Sequence, residues 1–319
     1  MAESRTIRFG IIGTGSIAAR FVVGLAHVPG AAAVGTYNRT LSKAFAFNAQ
    51  HNIPHTYDSV AALLASDIDA VYIATPHPSH ASLSIAALQA GRAVLCEKPA
   101  AISTAELDAV LAVARDTGVL YMEAMKPPFF PLYREIRQRI DAGEIGEVRF
   151  VRAGFANPNV PAGHAVLDPA QAGGSLLDIG IYGAFLAVDW LGAALDVQAL
   201  GRIGPSGVDT FASIQSRHER GISQLYCGLD CGGSGEALIA GCSGHIVIHE
   251  KWWNPSRATV VCANGHREEL ASIPQGSGLN YETAHFCELL RVSQHESSTV
   301  SWPHSRNALE LILLAQQKI

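Results

Sequence analysis

Residues 7–124 alternate short apolar runs with segments of helical periodicity, and this rhythm restricts the fold more than any other feature of the chain. Apolar runs at 7–12, 31–37, 69–75, 93–96 and 119–124 have the character of strands buried on both faces. Between them, residues 16–27 repeat Ile17, Ala18, Phe21, Val22 and Leu25 at helical spacing, and 41–51, 60–64 and 79–90 are helical too. Ser103 and Glu106 form a capping box for a further helix that runs to Thr117, and Gly91 and Gly118 stand as helix stops. Repeated βα units of this length require right-handed crossovers, so the first part of the chain is a doubly wound parallel sheet with helices on both faces.

After Pro127, Pro128 and Pro131 the rhythm changes. Helices are expected at 132–142, 178–191, 281–294 and 306–317. Strands are expected at 147–155, 197–203, 208–217, 222–228, 236–240, 245–249 and 259–263. Consecutive strands joined by short Gly-containing turns give a large mixed or antiparallel sheet in an α+β domain. The 319 residues, 48% of them hydrophobic, suffice for two cores, with domains expected at 1–125 and 126–319. A net charge of −5 without a basic stripe argues against nucleic-acid binding. The apolar stretches at 110–113 and 309–314 are too short to span a membrane. The first ten residues lack a signal-peptide pattern, which makes a cytoplasmic location the expectation. Six cysteines form no CxxC pair or zinc spacing, and no HExxH occurs, so no metal site and no disulfide frame are expected.

Gly13-Thr14-Gly15-Ser16-Ile17-Ala18 matches GxGxxA in its required place, after an apolar strand and at the start of an amphipathic helix. The first glycine permits the turn, the second admits a pyrophosphate, and Ala18 lets helix pack on strand, as in a Rossmann dinucleotide-binding domain. The end of the second strand reads Tyr37-Asn38-Arg39-Thr40. An NAD site places a carboxylate there for the ribose 2′-hydroxyl. Here none is present to repel a 2′-phosphate, and the Arg39 guanidinium can grip one. NADP(H) is the expected cofactor, with NAD(H) open as a second one and a solvated Arg39 as the alternative.

Three further segments carry candidate chemistry: Thr75-Pro76-His77-Pro78-Ser79-His80, Cys96-Glu97-Lys98-Pro99, and the run from Gly173 to Tyr182. The first two follow strands three and four, where doubly wound sheets bind ligands. Asp178 and Tyr182 are four apart at the expected start of a helix and share one face. Together with the GxGxxA opening, the segments ATPHPSH, Glu-Lys-Pro, GGSLLDIGIY and GLNYETAHF make the chain resemble the Gfo/Idh/MocA oxidoreductases over essentially its whole length. Many members have histidine where this chain has Tyr182. Tyrosine there resembles the branch of dimeric trans-dihydrodiol dehydrogenases, NADP-dependent D-xylose dehydrogenases and glucose-fructose oxidoreductase.

The resemblance implies that Lys98 and Tyr182 are catalytic and that Thr75, Pro76 and His80, with Glu97 and Lys98, line the cofactor. Oxidation of an alcohol needs a base for the hydroxyl proton, and a free tyrosine, with pKa about 10, needs a nearby cation to serve. Lys98 supplies that charge and orients the hydroxyl. Asp178 is a hydrogen-bonding partner for substrate or Lys98, or a helix N-cap. Glu97 orients Lys98 or closes its strand. By itself His80 is a first-turn residue with Ser79 as cap, Lys98 a surface lysine, and Tyr182 a core tyrosine. The branch usually carries an arginine before Phe-Phe-Pro, but this chain reads Lys126-Pro127-Pro128-Phe129-Phe130-Pro131.

The second domain is expected to supply the substrate contacts from Phe155, His164, Asp178, Tyr182 and Tyr281, with Trp252 and Trp253 as candidates for stacking or for the core. The resemblance implies a small polyhydroxylated substrate (a sugar, polyol or cyclic dihydrodiol) and a homodimer or higher homo-oligomer built through the C-terminal sheet. It also implies exchangeable NADPH, since the chain lacks the long N-terminal arm of glucose-fructose oxidoreductase. A dinucleotide-binding sensor of the same fold is the alternative to an enzyme. It is disfavoured because a sensor has no need of Lys98, Asp178 and Tyr182 together.

Overall fold

Strand β1 (Ile7–Ile12) lies inside a six-stranded sheet, with Phe9, Ile11 and Ile12 fully covered, as an unbroken apolar run demands. This computed structural model describes residues 5–319. The other strands are β2 (Ala31–Tyr37), β3 (His55–Tyr57), β4 (Ala70–Ile73), β5 (Ala93–Glu97) and β6 (Tyr121–Ala124). Their order is β3-β2-β1-β4-β5-β6, and every pairing is parallel. The connections are α1 (Ser16–Leu25), α2 (Leu41–His51), α3 (Val60–Ala65), α4 (His80–Gln89) and α5 (Thr104–Thr117). This is the doubly wound arrangement the alternation predicts. Strand β3 was not foreseen, because three residues are too few for a period to register. It takes shape as an edge strand on β2.

A second, larger sheet follows the proline cluster. Helix α6 (Pro131–Asp141) begins with Pro131, whose missing N–H costs nothing there, and buries Leu132, Tyr133, Ile136 and Ile140 along one stripe. Then come β7 (Val148–Ala156), a π-helical turn at Leu176–Gly180, and α7 (Ile181–Leu191). The strands β8 (Ala194–Ile203), β9 (Asp209–His218), β10 (Ile222–Gly228), β11 (Ala237–Gly241), β12 (Gly244–Ile248), β13 (Arg257–Cys262) and β14 (Arg267–Ala271) complete the unit. Their order is β14-β13-β12-β11-β7-β10-β9-β8. Only β7 and β10 run parallel, so the sheet is mixed.

Every residue of α7 is buried. The helical stretch Pro169–Leu191 is long and apolar enough by composition to cross a membrane, but 89% of its most apolar window lies inside the protein, as a core helix does. The one carboxylate of α7, Asp189, accepts hydrogen bonds from the Tyr133 hydroxyl at 2.5 Å and from Arg137, whose guanidinium lies over the Trp190 ring. A buried charge tolerates such a place only when paired.

The chain then returns. Helix α8 (Leu279–Arg291) belongs with the first sheet, while most of α9 (Trp302–Gln316) belongs with the second. The two compact units are residues up to Ala101 with Ala105–Lys126 and Gln275–Trp302, and Ile102–Thr104 with Pro127–Pro274 and Pro303–Ile319. Gly24 permits the return: a Cβ there would meet the Ser277 hydroxyl at 2.5 Å and the Asn280 nitrogen at 3.2 Å. Phe286 of α8 reaches Phe9 of β1, which meets Phe21 of α1 edge-on at 5.4 Å, and Phe21 stacks on Tyr72 of β4. All six cysteines are free thiols; Cys96, Cys227 and Cys287 are buried and Cys242 is exposed.

Candidate active site

In the first unit the turn from β1 to α1 is shaped by its glycines. Gly13 has φ +99°, and a Cβ there would meet the Ala74 carbonyl oxygen at 2.3 Å. Gly15 differs. Its backbone is extended, it precedes α1 without a side-chain cap, and a Cβ there would meet nothing within 4 Å. Clear space therefore stands over a helix start that has no acidic residue in its first turn and whose first N–H groups have no intrahelical acceptor. This is the setting a pyrophosphate requires, so the residues present fit a dinucleotide. Ser16 and Ile17 supply two of those N–H groups, and Ala18 is wholly buried against the sheet. Thr14 Oγ1 accepts a 2.7 Å bond from the Asn38 side-chain amide, whose own oxygen accepts from Thr40 N at 2.8 Å. Asn38 thus ties the glycine turn to the end of β2. Arg39 beside it is exposed, and no described residue hydrogen-bonds or ion-pairs with it.

The loops after β4 and β5 are joined by a residue buried to 99%. His80 places Nε2 2.7 Å from the Thr75 carbonyl oxygen and Nδ1 2.8 Å from that of Pro99. Burial lowers its pKa, against the pull of the two carbonyls. Both ring nitrogens are engaged by backbone, so His80 holds the loop of Thr75 and Pro76 to the loop of Lys98 and Pro99, whose peptide bond is cis. The Ser79 hydroxyl lies 2.7 Å from Thr75 Oγ1 and 2.8 Å from the Pro76 carbonyl oxygen; it caps no helix by side chain. Glu97, at the end of β5, accepts from the Tyr72 hydroxyl, and Glu123 of β6 accepts from Ala100 N at 2.8 Å. Carboxylates on both sides of the Lys98-Pro99 step are thereby fixed, while Lys98 itself is half-buried.

In the second unit the alternative reading of Asp178 as a helix N-cap is corrected. The helical run starts earlier, and Asp178 sits inside the π turn with its N–H on the Gly174 carbonyl at 3.3 Å. The cap comes from β9: Asp209 Oδ2 accepts from the Ser175 hydroxyl at 2.7 Å and from Leu176 N at 2.8 Å. Gly174, at φ +119°, admits that carboxylate, because a Cβ there would lie 2.1 Å from Asp209 Oδ1. Burial pushes the Asp209 carboxyl up while these donors pull it down, and the net shift is upward. Tyr182 follows in the first turn of α7 and is 8% exposed.

Beside Tyr182, Phe155 lies with ring centroids 5.8 Å apart, and Phe155 stacks on Trp253 at 3.5 Å with the planes 8° from parallel. Trp252 is a core residue, with no exposed surface and its indole N–H on the Gly154 carbonyl at 2.9 Å, whereas Trp253 is half-buried. His164 is exposed and its Nδ1 accepts from Val166 N, holding a short 3₁₀ turn. Tyr281 belongs to the first unit, where its hydroxyl accepts from Gln275 N at 2.7 Å. Asp209, Tyr72, Glu123 and the wholly buried Glu282 were missed by sequence reasoning; no local motif marks a strand carboxylate as the cap of a distant helix.

Two family models match the chain: one described as an oxidoreductase family with an NAD-binding Rossmann fold, over residues 7–125, and one described as a GFO/IDH/MocA C-terminal domain, over residues 133–247. Trans-1,2-dihydrobenzene-1,2-diol dehydrogenase of Mus musculus is 33% identical over 98% of this chain and 97% of its own. The enzyme of that name from Xenopus laevis is 34% identical over 92% of each chain. Among solved structures, a 3-ketoreductase from Actinomadura kijaniata in complex with NADP and TDP-benzene has a TM-score of 0.88 at 26% identity, covering 98% of both chains. Levoglucosan dehydrogenase in complex with NADH and levoglucosan reaches 0.90 at 18% identity, over 98% of this chain and 97% of its own, a likeness of fold alone.

Proposed function

This chain is a member of the GFO/IDH/MocA family of NAD(P)-dependent dehydrogenases, and from that premise we propose that it moves a hydride between NADP(H) and a hydroxyl-bearing carbon of a sugar, polyol or cyclic dihydrodiol. The first unit holds the cofactor: Gly13–Ala18 take the pyrophosphate, and Asn38 and Arg39 take the adenine ribose and its 2′-phosphate. When bound, the nicotinamide accepts or returns the hydride. Thr75, Pro76, Glu97 and Lys98 line its side of the crevice, and His80 fixes their loops. The observation that carries the reading is the tyrosine at 182 next to the half-buried Phe155–Trp253 stack. An aromatic slab covers the C–H face of a ring, while a hydroxyl beside it reaches that ring's oxygen.

In oxidation, Tyr182 Oη takes the substrate hydroxyl proton, and in reduction it gives one back. Lys98 Nζ supplies the positive charge that lets the phenol ionise and donates to the same substrate oxygen. Asp178 accepts from a neighbouring hydroxyl. His164 and Tyr281 enter as outer contacts to the substrate. The large sheet exposes Leu200 to 81%, together with Leu195, Ile203 and Ile222, which supports a homo-oligomer built on it.

The test is absorbance of NADPH during incubation with NADP⁺ and pentoses, hexoses, inositols or trans-dihydrodiols. On whichever substrate turns over, Tyr182→Phe and Lys98→Met should each lower kcat about 10²- to 10⁴-fold and leave NADPH affinity unchanged. Full turnover in Tyr182→Phe would exclude the acid/base assignment. Tight NADPH binding without turnover on any of these substrates would favour the sensor.

A further inference from the structure

The loop between β10 and β11 reads LDCGGSGE over 229–236, and the proposed chemistry leaves it without a task. Gly232, Gly233, Ser234 and Glu236 are exposed, but Gly235 is buried. Trp253 lies against it. A Cβ on Gly235 would stand 3.3 Å from both Cη2 and Cζ3 of that indole, so close that its neighbour would have to give by a few tenths of an ångström. Gly235 also has φ +64°, where a side chain is strained. Hydrogen bonds hold its backbone in place. The Gly235 carbonyl accepts from Trp252 N at 3.1 Å, and the Trp252 indole N–H donates to the Gly154 carbonyl at 2.9 Å. Gly154 N in turn donates to the Glu236 carbonyl at 3.2 Å. These bonds close a circuit through the glycine loop, the tryptophan pair and the end of β7. Trp253 hangs from that circuit, perpendicular to Trp252 and flat on Phe155, whose other ring neighbour is Tyr182. All of these residues belong to the second unit. A stacked pair of rings is held by dispersion and tolerates an offset, whereas the backbone at 235 is tied, so an added methyl displaces the ring.

We propose that Gly235 is a specificity-determining positioning residue: its missing side chain lets Trp253 lie flat on Phe155 and so sets the aromatic floor beside Tyr182. With the floor in place, a cyclic substrate rests its C–H face on the indole while its hydroxyl stays at Tyr182 Oη. An open-chain polyol has no flat face to offer and gains little from the same floor. The glycine loop thereby selects ring over chain without touching the substrate. This inference rests on the reading of Tyr182 and the Phe155–Trp253 stack given above.

The experiment compares steady-state kinetics with NADP⁺ on a cyclic substrate that turns over and on the open-chain polyol of equal carbon number, for instance inositol against sorbitol. The parent should favour the ring in kcat/KM by about 10-fold or more. Gly235→Ala should raise KM for the ring about 5- to 10-fold, with kcat within about 3-fold and KM for NADP⁺ within about 2-fold of the parent. Trp253→Ala should raise the ring KM at least as far. Adding Gly235→Ala to it should cost nothing more, because the ring that the methyl displaces is gone. Gly265→Ala, in the turn between β13 and β14, controls for backbone strain: φ is +86° there and a Cβ meets nothing within 4 Å, so its kinetics should match the parent. A folded Gly235→Ala protein with an unchanged ring KM overturns the inference, as do effects of Gly235→Ala and Trp253→Ala that add in the double variant. Should Gly235→Ala fail to fold, a Trp253→Ala enzyme that keeps the parent's preference for ring over chain overturns it. No turnover on any cyclic substrate overturns the function proposed above, and this inference with it.

Discussion

Replacing Asp209 tests whether a strand residue far from the chemistry holds the helix that carries Asp178 and Tyr182. Its Oδ2 accepts two hydrogen bonds, at 2.7 and 2.8 Å, from Ser175 Oγ and Leu176 N, and its carboxyl is 5% exposed. In Asp209→Ala both donors lose their acceptor in a place water does not reach. An N-cap is worth about 1 kcal/mol and an orphaned buried donor about 1–3 kcal/mol, so the loss should be about 2–4 kcal/mol. For a unit of this size that lowers Tm by about 5–15 °C. The π turn would relax with it, and kcat should fall about 10-fold or more as Tyr182 moves. Asp209→Asn separates shape from charge: its side-chain oxygen can take over both bonds, so it should cost less than about 1 kcal/mol. The pH dependence gives a second check. Because burial raises the folded pKa of Asp209, its protonated form favours the fold; that contribution is fully present below the unfolded pKa and is lost as pH rises through the folded value. Asp209→Asn removes this fall in stability between the two values. Differential scanning calorimetry across acid pH reads both effects. An Asp209→Ala protein that melts within about 2 °C of the parent, with kcat unchanged, would refute the capping argument.

The two glycines of the cofactor turn should separate folding from binding. Gly13→Ala puts a Cβ at φ +99° against the Ala74 carbonyl, so it should lose about 1–3 kcal/mol of stability along with NADPH binding. Gly15→Ala places its methyl in open space, so Tm should hold while NADPH affinity, followed by fluorescence titration, drops about 10-fold or more. An unchanged NADPH affinity in Gly15→Ala would exclude the pyrophosphate assignment. Arg39→Ala should weaken NADPH about 10- to 100-fold and leave NADH within about 2-fold, and equal losses for both would refute its role at the 2′-phosphate.

Much of this architecture was legible from spacing. The strands of the first sheet announce themselves because they are apolar on both faces, and α1 because Ile17, Phe21 and Leu25 repeat along one side. The strands that escaped are those whose identity comes from their neighbours: β3, with three residues, and β14 (REELA), where Leu270 alone is buried and the pairing with β13 makes the strand. The start of the tyrosine-bearing helix escaped for a related reason. Asp178 has the chemistry of an N-cap, but Asp209, thirty-odd positions on, occupies the cap because β9 brings it to Gly174. His80 illustrates the same limit. The sequence marks it as a helix opener in a cofactor motif, and only folding brings the Thr75 and Pro99 carbonyls to its two nitrogens.

The sequence by itself determined what depends on near neighbours in the chain: the βα rhythm, the glycine turn with its helix, the absent carboxylate beside Arg39, and the tyrosine at 182. These follow from period, backbone freedom and the charge of adjacent residues. The tertiary structure decided what depends on desolvation and on partners distant in the chain. It buried Lys126 and Glu282, gave Asp209 to another element's helix, and made Trp252 core while leaving Trp253 half-exposed beside Phe155. A charge or a ring has no fixed role until the solvent around it is known, and burial is set by the whole fold.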